Sequence, residues 1–164
     1  MALTKQFDSE ATFVESFVDK LAAGRTAFGK LQLVTEWNYK SGAVDVLARD
    51  AKRTLVAFEA KMADWRRAFF QAYRSTSYAE RVFVLLPEVV AHRALADLDE
   101  FVFRGVGLCS FNGRSLRVLI DSSVHAPLLP WVNKRAHEHF DEIYATKPIR
   151  FRSRSGSAVC QQAI

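Results

Sequence analysis

The stretch Gly42-Ala43-Val44-Asp45-Val46-Leu47-Ala48-Arg49-Asp50-Ala51-Lys52-Arg53-Thr54-Leu55-Val56-Ala57-Phe58-Glu59-Ala60-Lys61 decides the fold. It holds two apolar runs around a short polar connection, which reads as a pair of antiparallel strands over 43–49 and 55–61 joined through 50–53. Upstream, Ser41-Gly42 is a turn and 31–38 reads as a further strand. Downstream, Asp64 is placed to cap a helix over 65–79. Arg81 then leads into Val82-Phe83-Val84-Leu85-Leu86, a continuous apolar run ended by Pro87, of the kind found in strands buried on both faces.

The remaining elements fall on either side. Ser9-Glu10 opens a helix running to about residue 23, with Phe13, Val14, Phe17, Val18 and Leu21 at helical spacing and Gly24 behind it. Residues 88–103 read as a helix ended by Gly105. Asn112-Gly113 between two apolar runs marks a hairpin. A last helix covers about 129–144. The element order is helix, three strands, helix, strand, helix, hairpin, helix, an α/β domain with one mixed sheet and helices on both sides. Residues 1–146 form this domain. Beyond them Lys147, Arg150, Arg152 and Arg154 sit among small and polar residues, which reads as a basic, partly mobile tail over 147–164.

Composition narrows the class. The chain has 164 residues, 49% hydrophobic and 25% charged, with 13 Phe, enough apolar matter for one self-supporting core. No apolar run approaches the roughly 20 residues of a membrane span, and Met1-Ala2-Leu3-Thr4-Lys5-Gln6 carries no signal-peptide core. Two cysteines, Cys109 and Cys160, are too few for a disulfide framework, so a cytoplasmic, reducing setting is expected. A net charge of +5 favours a polyanionic partner. No phosphate-binding Gly-rich loop, nucleophile elbow or Cys-x-x-Cys is present.

Asp45, Glu59 and Lys61 carry the chemistry. Strand alternation puts Glu59 and Lys61 on one face. A connection through 51–53 sets Asp45 directly opposite Glu59, with Cβ atoms roughly 4.5–5.5 Å apart. Carboxylates that close repel, and one holds its proton. A divalent cation removes the conflict, since Mg²⁺ takes oxygen ligands and completes its shell with water. Lys61 beside them can hold a water or stabilise charge on a phosphate oxygen. An isolated Glu-x-Lys is more often an edge salt bridge. Here the spaced Asp45 and the apolar neighbours Val56, Phe58 and Ala60 point to a buried site. On the following helix Arg66, Arg67 and Arg74 are candidates for phosphate contacts. Trp65 reads as a core anchor, Cys109 as a buried strand residue, and His137 and His139 as surface histidines.

The runs 42–48 and 56–61, with the helix from Asp64-Trp65-Arg66-Arg67-Ala68 and the strand Arg81 to Pro87, resemble the core of the PD-(D/E)XK nuclease superfamily, in the branch with Holliday-junction resolvases and other restriction-endonuclease-like proteins. The likeness covers about residues 10–90. It implies a restriction-endonuclease-like core of αβββαβ order, here followed by a C-terminal hairpin and helix. It implies Asp45 and Glu59 as ligands of Mg²⁺ (or Mn²⁺), joined by the Ala60 carbonyl, with Lys61 assisting attack of water on a DNA phosphodiester. Glu15 fits the acid often found on the first helix, with Glu10 second to it, and Glu36 fits the acid at the end of the first strand. Gln71 resembles the glutamine of a Gln-x-x-x-Tyr pattern, with Ser75 in the tyrosine's place and Tyr73 and Tyr78 nearby. The expected partners are DNA and, for specificity, a second copy in a homodimer or a partner protein, with no membrane. An RNA-directed nuclease shares the chemistry. The alternative is a noncatalytic nucleic-acid-binding or protein-interaction module on the same fold.

Overall fold

The computed structural model describes residues 7–39 and 42–145. The basic tail, Cys160 and the extreme N-terminus lie outside the described residues.

Helix α1 (Glu10–Ala22) starts at a reciprocal cap. The Ser9 side chain accepts the Thr12 N–H, and the Thr12 hydroxyl accepts the Ser9 N–H, both at 3.1 Å. Strands β1 (Leu31–Tyr39), β2 (Gly42–Asp50) and β3 (Leu55–Ala60) then run as an antiparallel meander. Helix α2 (Trp65–Ser75) is capped by the Asp64 carboxylate, which accepts the Arg67 N–H at 3.2 Å. It returns the chain to β4 (Arg81–Pro87), parallel to β3. Helices α3 (Glu88–Ala94) and α4 (Leu98–Arg104) lead to β5 (Gly107–Phe111), parallel to β4, and β6 (Leu116–Ile120) closes the sheet antiparallel. Helix α5 (Pro130–Ala145) follows. Six strands lie in chain order, β1-β2-β3-β4-β5-β6. The mixed α/β sheet and the αβββαβ order of a restriction-endonuclease-like core are both present.

Two apolar clusters separate the layers. On one face Phe13, Phe17 and Leu21 of α1 pack on Val46, Val56, Phe58 and Phe83. Phe58 stacks on Phe83 at 5.5 Å and meets Phe17 and Phe28 edge-on at 5.0 and 5.1 Å. On the other face α2 to α5 bury Phe69, Ala72, Phe101 and Phe140 against Leu47, Leu55, Val84 and Leu108. Every β3 residue is buried, as expected for a strand covered on both faces. The Tyr144 hydroxyl accepts the Leu33 N–H and donates to the Leu33 carbonyl, tying α5 to the edge strand β1.

Two sequence expectations need correction. The helix over 88–103 is broken by a 3₁₀ turn, Leu95–Asp97. Asp97 leaves helical backbone values (φ −104°, ψ 30°), and its carboxylate is drawn to Arg66 at 3.4 Å. The α2 helix stops at Ser75, where the Thr76 hydroxyl donates to the Tyr73 carbonyl at 2.7 Å. The hairpin expected at Asn112-Gly113 is present, its turn held by Asn112 Oδ1, which takes the N–H groups of Arg114 and Ser115 at 3.0 and 2.8 Å.

Gly107 marks the tightest packing. A Cβ there would meet Phe83 at 2.3 Å, and Phe83 is wedged between Phe28 and Phe58. Gly107→Ala should therefore cost about 1–3 kcal/mol of overpacking. A lower urea midpoint with an unchanged slope is the expected reading.

Candidate active site

Regular alternation puts residues three apart on opposite faces of a sheet. Val34 and Trp37 nevertheless join the same apolar cluster, and so do Val44 and Leu47. Both strands change phase at one place. The register pairs Thr35 with Val46 and Trp37 with Val44, bracketing Glu36 and Asp45. Glu36 holds a left-handed backbone (φ 51°), uncommon for a side chain of its size. The irregularity re-aims what sits there, as bulges beside functional sites do. Asp45 and Glu36 line, with Glu10 and Glu15 of α1, an open cavity of about 490 Å³.

Beyond Val46↔Phe58 the β2–β3 ladder ends. The Ala60 N–H, which a continuing ladder would give to a backbone carbonyl, donates instead to Asp45 Oδ2 at 2.8 Å. This bond holds the Asp45 carboxylate at the carboxyl end of β3, beside Glu59. Ligand sites of open α/β sheets favour such strand ends.

Glu59 is 3% exposed. Burial pushes its carboxyl up to about 9, aided by the charge of Asp45 and a hydrogen bond shared with it; Lys61 and Arg74 partly offset the rise. Among the described residues no cation forms a salt bridge with it. Arg49, the other charged residue buried to this degree, is fully paired: it donates to Gln32 at 2.7 Å and to the His137 carbonyl at 3.2 Å, and meets Asp141 at 2.8 Å. Arg49 is structural, and Glu59 is the buried charge without a neutralising partner. The same arginine crowds His137, which is half-buried and not a free surface histidine.

Lys61 lies one residue past the ladder, its N–H donating to the Leu85 carbonyl at 3.2 Å. Its side chain does not share a strand face with Glu59, as alternation predicts, but turns to α1, where Nζ donates to Glu10 Oε1 at 2.6 Å. Glu10 is thus the helix acid that touches the motif lysine, while Glu15 faces the cavity shared with Asp45. Behind Glu59, Tyr78 is fully buried and its hydroxyl donates to Ser75 Oγ at 3.4 Å. Tyr39 meets the Tyr78 ring at 4.6 Å. Gln71 lies one turn before Ser75, and its Oε1 is buried with no hydrogen-bond partner among the described residues. Arg74 stands close enough to bear on Glu59 and Tyr39. Arg66 lies over the Trp65 ring at 4.4 Å, and Trp65 stacks on Phe101, which makes it the anchor expected. The Arg67 side chain is exposed. Cys109 is a buried free thiol.

Among the described residues no group of three or more His, Cys, Asp or Glu encloses a metal position. Asp45 and Glu59 supply two carboxylates, the number Mg²⁺ takes when water and substrate phosphate complete its octahedron. The raised Glu59 carboxyl held against Asp45 is what such a site leaves in the protein alone, so these two carboxylates fit a divalent cation. The sequence pattern missed the phase change at Glu36 and Asp45. Parity gave no signal of it: Leu31, Leu33, Trp37 and Tyr39 all hold odd positions, yet the first two pack with the α1 cluster and the last two with the cluster on the other face.

No protein-family profile and no curated protein matches the chain. Among solved structures, it is similar to the SPO1766 protein of unknown function from Silicibacter pomeroyi, with a TM-score of 0.60 and 14% identity over 80% of this chain and 84% of that one. That likeness supports the fold alone. Partial likenesses reach a repair endonuclease from Pyrococcus abyssi (TM-score 0.47, 16% identity, 66% of this chain and 50% of that one) and Pyrococcus furiosus SfsA in complex with Ca²⁺ (TM-score 0.35, 13% identity, 70% and 62%). At these scores neither says anything about activity.

Glu59 should make the metal-free protein sensitive to alkali. Its folded-state value near 9 lies above the unfolded 4.5, so between those limits the native state holds a proton that the unfolded state has lost. Stability from this group is present below pH 4.5 and falls as pH rises toward 9. Glu59→Gln should remove that slope and stabilise the protein at pH 8, read by denaturant unfolding with chelator at pH 5 and 8.

Proposed function

We propose that the protein is a Mg²⁺- or Mn²⁺-dependent nuclease that hydrolyses DNA phosphodiester bonds, in DNA repair, restriction or phage defence. The observation that carries this reading is the unneutralised, buried Glu59 carboxyl held against Asp45 at the end of β3, with Lys61 two residues on. The sequence resemblance around the same three residues supports it.

In this reading Asp45 and Glu59 hold the cation, with the Ala60 carbonyl, and the Ala60 N–H keeps Asp45 oriented. Glu15 and Glu36 stand in the same cavity as further acidic groups. The chemistry supplied by a bound cation is Lewis-acid activation of water and of the phosphoryl oxygen. Lys61 stabilises charge developing on the phosphate or positions the attacking water, which requires its release from Glu10. Gln71 offers its free carbonyl oxygen to that water. Arg66, Arg67 and Arg74 supply phosphate contacts. A homodimer or partner protein supplies specificity, and RNA in place of DNA leaves the chemistry unchanged. No described helix is long and apolar enough to cross a membrane; a reducing cytoplasm suits the free Cys109 thiol.

A second reading, a noncatalytic nucleic-acid-binding or protein-interaction module, draws support from the Lys61–Glu10 pair, which engages the ammonium the reaction needs.

Two measurements separate them. Lys61→Ala should retain the fold and much of the DNA affinity, while cleavage falls by about two orders of magnitude or more. Adding Mg²⁺ at pH 7 in weak buffer should release a proton from wild type and none from Glu59→Gln, since the ligand must ionise to bind. Wild type that binds DNA but cleaves no DNA structure with either metal, and releases no proton, would establish the module.

A further inference from the structure

The solvent face of α2 is not an ordinary charged helix face. Arg66, Arg67, Phe70, Tyr73 and Arg74 fall at helical spacing on one side of it, and all are exposed. Phe70 is 57% exposed, although Phe69 beside it is buried in the core and meets Phe101 at 4.8 Å. The ring meets Phe69 edge-on at 5.6 Å and leaves more than half of its surface to solvent. The patch continues onto the end of α4. Phe103 there is 82% exposed, and the Arg104 guanidinium lies over the Tyr73 ring at 4.8 Å. Tyr73, Phe103, Arg104, His125 and Leu128 line a hollow of about 480 Å³, with Leu128 79% exposed.

Charge decides what such a surface accepts. Arg66 is loosely paired with Asp97, and Arg104 with Glu100. Arg67 and Arg74 make no salt bridge among the described residues. Arg74 is near enough for its charge to act on Glu59, so one end of the basic and aromatic face lies toward the candidate active site. Duplex DNA presents phosphates and buries its base faces, so it gives exposed phenylalanines nothing to stack on. A single strand offers phosphates and unstacked bases together, matching guanidinium groups interleaved with aromatic rings.

We propose that this face of α2 and the end of α4 bind single-stranded DNA, with bases stacked on Phe70 and Phe103 and phosphates held by Arg67 and Arg74. The inference rests on the nuclease reading only for where the strand leads, toward Asp45 and Glu59. It makes the substrate class one with an unpaired strand.

The test uses the full chain in chelator, so that binding is read without cleavage, and a fluorescein-labelled oligodeoxythymidylate of about 15 nucleotides. Wild type should bind it more tightly than a duplex of equal length. Phe70→Ala and Phe103→Ala should each weaken binding roughly tenfold, with melting temperatures unchanged because both rings are exposed. Phe70→Trp should restore binding, and Phe70→Leu, which keeps apolar area but no ring, should not. Arg67→Gln with Arg74→Gln should flatten the salt dependence by about two phosphate contacts. Equal affinity for duplex, or alanine variants that bind as wild type does, overturns the proposal. So does a wild-type dimer that Phe70→Ala converts to monomer without change in DNA binding, which would make the patch a subunit interface. Stacking-dependent binding without any Mg²⁺-dependent cleavage would leave this inference standing and remove the nuclease reading; duplex cleavage indifferent to Phe70 and Phe103 would do the reverse.

Discussion

One hydrogen bond organises the site: the Ala60 N–H donating to the Asp45 carboxylate. Where the β2–β3 ladder stops, a buried N–H needs another acceptor, because an orphaned donor costs as much as a lost hydrogen bond. A side chain takes the place of a backbone carbonyl, and the two strands are free to part. The carboxylate that closes the ladder is thereby fixed next to Glu59, in a spot neither carboxyl would choose alone. The left-handed Glu36 and the paired change of phase in β1 and β2 fall at the same place, and they turn Asp45 out of the layer that holds Leu47.

The rest of the fold carries the cost. A protonated acid in the interior is destabilising at neutral pH, and it persists only where the surroundings are rigid enough to hold it. The ring cluster of Phe17, Phe28, Phe58 and Phe83 lies on the α1 side of β3, and Tyr39 and Tyr78 stand on the other. Glu59 sits between these layers with 3% of its surface exposed. Arg49 shows the contrasting solution, in which an acid partner, Asp141, meets the charge and the charge serves the docking of α5. The two buried charges differ in whether a protein partner has been supplied.

Most of the fold was legible because its elements obey local rules. Val82 to Leu86 is apolar throughout and became a central strand; Asp64 precedes α2 and caps it; the apolar stripe of α1 is the face it buries. Chain-order pairing left little topology to resolve. The failures occur where tertiary contacts override local preference. Asp97 breaks a helix that its own sequence would continue, because Arg66 lies across from it. Lys61 leaves the face it shares with Glu59 because the strand ends first and Glu10 waits on α1. The β2–β3 register brings Asp45 near Glu59, but the ladder stops at Val46↔Phe58 and the two meet past its end; that Glu10 and not Glu15 touches Lys61 depends on how α1 lies on the sheet, which no spacing rule encodes.

The charges around the site are segregated, and the segregation has a direction. Glu10, Glu15, Asp19, Glu36 and Asp45 line the cavity between α1 and the β1–β2 edge. The guanidinium groups of Arg66, Arg67 and Arg74 stand on α2, across the sheet. Within a Debye length of roughly 10 Å such a polarity is felt by anything approaching. The potential favours cations on the α1 side and anions on the α2 side. The end of β3 is where these fields meet, and Glu59 and Lys61 emerge there. Fold by itself assigns no activity. A carboxylate pair between an acidic cavity and a basic, aromatic helix face is an arrangement that folding does not require, and it is on that pair that the proposed function rests.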